Sequence, residues 1–212
     1  MNIKKIAVVI YPYFSLQEIT TLTSCLKIWF DKDIDYLGSE LTIYKSEEGF
    51  NVTPTKTFND ANIDDYNCII LPGIINPLPA LYDNRLINFL SELKNREILI
   101  ASISSSPLLL AKAGLLSEVK FTAGIFMQMV DLFSFINREN FIHRPVVKDK
   151  NIITAIGFAF REFAHLVLNE LKLDVSESFM LPVTKEYTEN ELTYYWEDND
   201  YQEFLEELNR YI

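Results

Sequence analysis

Ile98-Leu99-Ile100-Ala101-Ser102-Ile103-Ser104-Ser105-Ser106-Pro107-Leu108-Leu109-Leu110-Ala111-Lys112-Ala113-Gly114 is the stretch whose reading decides the fold. Ile98 to Ala101 form a continuous apolar run, the pattern of a strand covered on both faces. Leu108 to Ala113 read as a helix, with Pro107 suited to its first position and Gly114 suited to end it in the left-handed conformation. A strand must therefore turn abruptly into a helix across the serines. Ser102 and Ser106, two positions either side of Ser104, are small enough for the backbone to pass closely, which would leave Ser104 at an exposed tip. The N–H groups and positive dipole of the following helix would suit an oxyanion or carboxylate there. The same serines also read as turn and N-cap residues with no functional role, since serine is among the commonest caps.

Working outward, Ile6 to Ile10 is a second continuous apolar run, followed by Ile19, Leu22, Leu26, Trp29 and Phe30 at helical spacing. Ser15-Leu16-Gln17-Glu18 fits a capping box, so that helix is expected to start near Ser15 with Glu18 satisfying its first N–H groups. Strands are expected at Ile34 to Leu37, Leu41 to Lys45 and Cys68 to Leu71, the last stopped by Pro72-Gly73. Leu86, Phe89, Leu90 and Leu93 mark a further amphipathic helix. Beyond the serine turn, the patterns predict a strand at Val119 to Thr122, a helix over Phe126 to Ile136 and strands at Val146-Val147 and Ile152-Ile153. A long helix follows from about Gly157 to Leu171. Apolar strands alternating with helices imply an α/β fold with a mostly parallel sheet covered on both faces. Past Asp174 the text turns acidic and Tyr-rich, then ends in Tyr201, Phe204, Leu205, Leu208, Tyr211 and Ile212 at helical spacing. Residues 1–173 thus read as one domain and 174–212 as an extension with a C-terminal helix, which Asn199 and Gln202 would cap.

At 212 residues the chain suits a single domain, and 30 acidic against 19 basic residues give a net charge of −11. That field repels phosphate backbones and anionic headgroups, which argues against nucleic-acid and membrane partners. Cys25 and Cys68 have no disulfide or zinc spacing and read as buried, reduced thiols, as expected of a cytoplasmic protein. The apolar start is interrupted by Pro12 and followed by Gln17 and Glu18, so neither export nor a membrane span is expected. No Gly-rich phosphate loop occurs, and the acidic residues from Glu186 to Glu203 lack an EF-hand pattern and read as a solvated face. No metal or cofactor is expected.

Lys5 to Ile10, Glu18, Ile70-Leu71-Pro72-Gly73, Ile100 to Pro107, Phe121-Thr122 and Asn151 to Ala155, in that order, resemble the ThiJ/PfpI family. The family includes relatives of the Parkinson disease protein 7 and of class I glutamine amidotransferase domains. The resemblance covers about residues 3 to 173 and implies a flavodoxin-like three-layer αβα sandwich and frequent homodimers. It also implies a site made by Ser104 as nucleophile and Glu18 as acid or base, with Gly73, Ile74, Ser105 and Thr122 about the ligand.

Departures from the family pattern shape the functional expectation. Family members carry cysteine at the tip, where this chain has Ser104, and a hydroxyl ionises far less readily than a thiol with a pKa of about 8.5. The histidine that usually follows the threonine matching Thr122 is replaced by Ala123-Gly124-Ile125. A positioned base contributes about 10²- to 10⁴-fold, or roughly 3 to 5 kcal/mol. Ile74 stands where the family has a second glycine, which threatens an oxyanion donor. His165 reads as a solvated residue on the polar helix face, and His143 as a loop residue; neither forms a triad with Ser104. Glu18 is the best remaining base, although its capping role would explain it fully. The leading expectation is a catalytically weak or inactive protein that binds a small anionic or carbonyl ligand. The alternatives are an amidase, peptidase or glyoxalase-like hydrolase using Ser104 with Glu18, and a stress-related or interaction protein acting through a dimer surface or the C-terminal helix.

Overall fold

A computed structural model describes residues 4–173, 175, 186 and 188–212. Its centre is a seven-stranded sheet in the order β5-β2-β1-β6-β7-β9-β8. These strands are β1 (Lys5–Val9), β2 (Ile34–Gly38), β5 (Lys56–Thr57), β6 (Tyr66–Leu71), β7 (Leu99–Ile103), β8 (Val146–Asp149) and β9 (Ile152–Ala155). All neighbours pair in parallel except β8, which runs antiparallel to β9 at the edge. The continuous apolar runs became the central strands: Ile6, Ala7, Val8 and Val9 are wholly inaccessible, as are Cys68, Ile69, Ile70 and Leu71. Both faces must be covered for that, which is why those runs lack alternation. A separate hairpin pairs β3 (Tyr44–Lys45) with β4 (Asn51–Val52).

The chain passes from β1 to β2 through α1 (Gln17–Ser24), and in the opposite direction from β6 to β7 through α2 (Leu78–Leu81) and α3 (Asn84–Ser91). Right-handed crossovers then place these helices on opposite faces. On one face α1 packs against α6 (Phe160–Glu170), which buries Phe163, Ala164, Val167 and Leu168. On the other, α4 (Pro107–Lys112) packs against α2 and α3. This is the flavodoxin-like αβα sandwich. The direction of travel reverses between β1 and β6, and in such sheets the crevice at the carboxyl ends of the strands is where ligands sit.

Several elements differ from their sequence expectation. Leu41 lies in a bend, and only Tyr44–Lys45 of that stretch is strand. Val119 to Thr122 makes no strand; Phe121 forms a lone bridge with Phe141. The helix expected to Ile136 is α5 (Met127–Leu132), ending where Phe133 turns extended and stacks on Phe135 at 5.0 Å. Gly157–Ala159 is a 3-10 turn ahead of α6. The capping box at Ser15 and Glu18 does not form either: Leu16 holds the cap position without a side-chain bond. The N–H of Gln17 instead donates to Glu48 Oε1 at 2.8 Å, and the Ser15 hydroxyl reaches the same oxygen at 3.3 Å. The β3–β4 hairpin therefore caps α1, which frees Glu18.

The C-terminal helix α7 (Asp198–Leu208) starts without the side-chain cap expected from Asn199. It lies on the main body through buried Leu208, Phe204 set edge-on to Phe133, and a hydrogen bond from Asn76 Nδ2 to Glu207 Oε1 at 2.6 Å. The polar stretch at 176–185 falls outside the described residues, whereas Glu186, Glu189, Glu191 and Glu197 are exposed.

Candidate functional site

At the end of β7 the backbone swings into the left-handed region at Ser104, with φ of 61°. For a residue with a Cβ this conformation costs roughly 1–2 kcal/mol. Two bonds hold it: the Ser104 N–H donates to the Ala155 carbonyl at 2.8 Å, and the Gly124 N–H donates to the Ser104 carbonyl at 2.8 Å. The neighbouring serines are buried and occupied. Ser106 takes the cap position of α4 but does not cap with its side chain. Its hydroxyl accepts from the Ile103 N–H at 3.0 Å and lies 2.7 Å from the Ser102 hydroxyl. The Ser105 hydroxyl donates to the Ile74 carbonyl at 2.5 Å and accepts from the Ile74 N–H at 3.1 Å. Of the four, Ser104 is the one that reaches the pocket formed with Glu18.

Glu18, the second residue of α1, comes to the same place from β1's side of the sheet. The Gly73 N–H, just past β6, donates to its Oε2 at 2.8 Å. Two glycines make room for the carboxyl. A Cβ on Gly73 would lie 2.0 Å from Glu18 Oε2 and 2.6 Å from Ser104 Cβ, and one on Gly157 would lie 2.3 Å from Glu18 Oε1. Neither position tolerates a side chain without moving the carboxyl. With Gly124, which also lines the pocket, three of the six glycines in the chain surround this pair. The strand ends β1, β6, β7 and β9 thus converge on one carboxyl and one hydroxyl.

Burial drives the Glu18 pKa up from 4.5 to about 7; hydrogen bonding from Ser104 pulls it down, Glu47 pushes it up, and the Gly73 N–H pulls it down again. At neutral pH a large fraction is a neutral acid. Since the Gly73 N–H engages Oε2, the proton belongs on Oε1, beside Gly157 and Ser104. Burial also raises Glu47, which lines the pocket. Burial works the same way on Glu48, but hydrogen bonds from the start of α1 carry it below its usual value.

The pocket measures about 390 Å³. One side is polar, with Ser15, Gln17, Glu18, Glu47 and Ser104; the other is Ile125, Phe126, Ile156, Phe158 and Tyr194. Among the described residues no Lys, Arg, His or Cys lines it. His143 is engaged elsewhere, with Nδ1 3.0 Å from the Thr193 hydroxyl and Nε2 3.4 Å from Glu189. His165 is half-buried rather than solvated: Asn169 reaches its Nδ1 at 3.3 Å, and its Nε2 is buried without a hydrogen-bond partner. Both thiols are buried and unpaired, Cys68 completely. Of the ligand positions expected beside Ser104, Gly73 spends its N–H on Glu18 and Ile74 spends its own on Ser105. Thr122 is 1% exposed and donates its N–H to the Thr154 hydroxyl. Sequence reading had not singled out Gly157, Phe126, Phe158 or Tyr194. Of these only Gly157 carries an advance signal, as one of the six glycines in the chain. Among the described residues no group of three or more His, Cys, Asp or Glu side chains could hold a metal ion, and no helix is long and apolar enough to cross a membrane.

A parallel αβα sandwich with a serine at the carboxyl end of a central strand and a half-buried glutamate from the first helix defines a recognisable class. The DJ-1/PfpI family model matches residues 4–170, and the chain belongs to that family. Among curated proteins it is similar to an uncharacterized protein of Methanocaldococcus jannaschii, 34% identical over 50% of this chain and 52% of that protein. It is also similar to a Bacillus subtilis protein called an uncharacterized protease, YdeA, 30% identical over 45% of this chain and 49% of that one. The aligned part thus spans about half the length of these curated relatives. Among solved structures, a DJ-1 superfamily protein of Agrobacterium tumefaciens superposes with a TM-score of 0.74 at 21% identity, covering 83% of this chain and 94% of that one.

Proposed function

We propose that this protein binds a small carbonyl compound at the Ser104 turn and has little or no hydrolytic activity of the cysteine or serine type. One observation carries the reading: among the described residues, the ionisable groups lining the pocket besides a tyrosine are two carboxyls with raised pKa, Glu18 and Glu47. At neutral pH a large fraction of Glu18 is protonated and cannot take the Ser104 proton, and among the described residues no imidazole lines the pocket to do so. The protonated form of Glu18 is instead a good donor. Together with the Ser104 hydroxyl, which hydrogen-bonds the same carboxyl, it makes a donor pair for a carbonyl oxygen placed at the turn. Of the anionic and carbonyl ligands expected, the lining favours the carbonyl, because among the described residues it offers no cation to pair with an anion.

The rival hydrolase reading draws on the left-handed Ser104 backbone, since strain of this kind clusters at catalytic turns such as the nucleophile elbow. The protease in the name of the Bacillus subtilis relative points the same way. A panel of amide, ester and 2-oxoaldehyde substrates assayed with wild type, Ser104→Ala and Glu18→Gln separates the two. Equal inertness of all three proteins removes the hydrolase reading. Turnover by wild type that collapses in both variants overturns the binding reading.

We also read residues 1–173 as the ligand-binding domain and 174–212 as an extension on the same body, in a cytoplasmic homodimer. The two unpaired, buried thiols support a reducing compartment.

A further inference from the structure

The family match stops at residue 170, yet Tyr194 lines the pocket beside Ser104. The segment that carries it is held firmly. Tyr194 bridges Phe126, and its carbonyl accepts from the Met127 N–H at 2.7 Å. The Trp196 N–H and carbonyl both bond the Gln128 side chain, at 3.3 and 3.2 Å. Leu192 is buried against Ile156 and Ala159. Behind this contact Phe126 stacks on Trp196 at 4.2 Å and 16°, and Trp196 packs on Phe204 of α7 at 4.6 Å. The C-terminal extension therefore builds and stiffens one wall of the pocket.

That wall is apolar and largely aromatic: Ile125, Phe126, Ile156, Phe158 and Tyr194. Phe158 is 83% exposed at the pocket, directly after Gly157, which touches the Glu18 carboxyl. Phe158 continues the apolar lining of Ile125, Phe126, Ile156 and Tyr194 out to the mouth, so the site has a contiguous apolar side of the kind that covers an apolar ligand group. The opposite side carries Glu18, Glu47 and Ser104, with no cation among the described residues to receive a negative group.

We infer that the C-terminal extension makes this pocket selective for a neutral carbonyl compound bearing an aryl group, with the carbonyl at Ser104 and Glu18 and the ring against Tyr194 and Phe158. The inference rests on the carbonyl-binding reading and adds the ligand's second half. Ring stacking and burial together favour an aryl over a methyl substituent by about tenfold or more.

Calorimetric titration at pH 6 with benzamide, acetamide and benzoate tests it, using wild type, Tyr194→Ala, Phe158→Ala and Ser104→Ala. Benzamide should bind wild type at least about tenfold more tightly than acetamide, and more tightly than benzoate. The benzamide-to-acetamide ratio should fall threefold or more in Tyr194→Ala and in Phe158→Ala, on the order expected for loss of one ring contact. Ser104→Ala should weaken both amides together and leave the ratio in place. Phe158 is exposed, so its variant reports even if Tyr194→Ala perturbs folding. Equal affinities for the two amides, or an unchanged ratio in Phe158→Ala, would overturn aryl selectivity while leaving carbonyl binding intact. Tightest binding by benzoate would overturn the neutral-ligand claim. Absence of binding by every probe would remove both readings.

Discussion

Replacing Glu18 with glutamine should make the protein more stable, by an amount that depends on pH in a calculable way. The carboxyl has a pKa of 4.5 when unperturbed and about 7 in the folded protein, so the folded state binds more protons than the unfolded state between those values. Glu18 is thus tolerated at full stability below pH 4.5, and stability is lost as the pH rises through about 7. At 1.36 kcal/mol per pKa unit, the complete loss is about 3 kcal/mol, most of it reached by pH 8. Glutamine keeps a carbonyl oxygen for the Gly73 N–H and cannot ionise. The variant should therefore exceed wild type by under about 1 kcal/mol at pH 5 and by about 3 kcal/mol at pH 8. For a chain of this size, the latter is a rise in Tm of roughly 6–12 °C. Urea unfolding at the two pH values gives the difference directly. A stability gain that does not change with pH, or a variant that loses ground as pH rises, would refute the claim that burial holds this carboxyl neutral.

Other substitutions probe the rest of the site. Gly157→Ala puts a methyl 2.3 Å from Glu18 Oε1 and should cost about 1–3 kcal/mol, read by chemical denaturation, together with ligand affinity; a neutral result would show that the carboxyl is free to move. Ser104→Cys should give one thiol that iodoacetamide alkylates under native conditions, seen by mass spectrometry, whereas buried Cys25 and Cys68 leave wild type unlabelled. Failure of the new thiol to react would mean that position 104 does not face the pocket. Leu208→Ala should destabilise the whole protein by about 2–4 kcal/mol in a single unfolding transition if α7 belongs to the same body, and a separate early transition would argue otherwise.

The sheet was legible where single elements carry their own signal. Continuous apolar runs at Ile6 to Ile10, Cys68 to Leu71 and Ile98 to Ala101 marked β1, β6 and β7 because those strands are buried on both faces. The Ser104 turn was legible from small residues and Pro107. Legibility failed where a distant residue won a local competition. Ser15 and Glu18 have capping-box spacing, but Glu48, 31 residues beyond Gln17, takes the helix start, and the Gly73 N–H draws Glu18 to the pocket. Val119 to Thr122 has strand-like residues, yet the chain there is committed to loop contacts such as Gly124 with Ser104. β5 has two residues and no apolar run, so nothing in the text could announce it. The far wall of the pocket joins Phe126 to Tyr194 across 68 positions and depends on tertiary closure alone.

The central claim is that Glu18 presents a proton to a ligand carbonyl beside a serine that is not ionised. The most direct test is the affinity of acetamide measured from pH 5 to pH 9 with wild type and Glu18→Gln. Wild-type affinity should be constant at low pH and fall through a midpoint near pH 7 with the slope of one proton, while the variant shows no such transition. Wild-type affinity that stays flat across this range, or that grows as pH rises, would contradict the account.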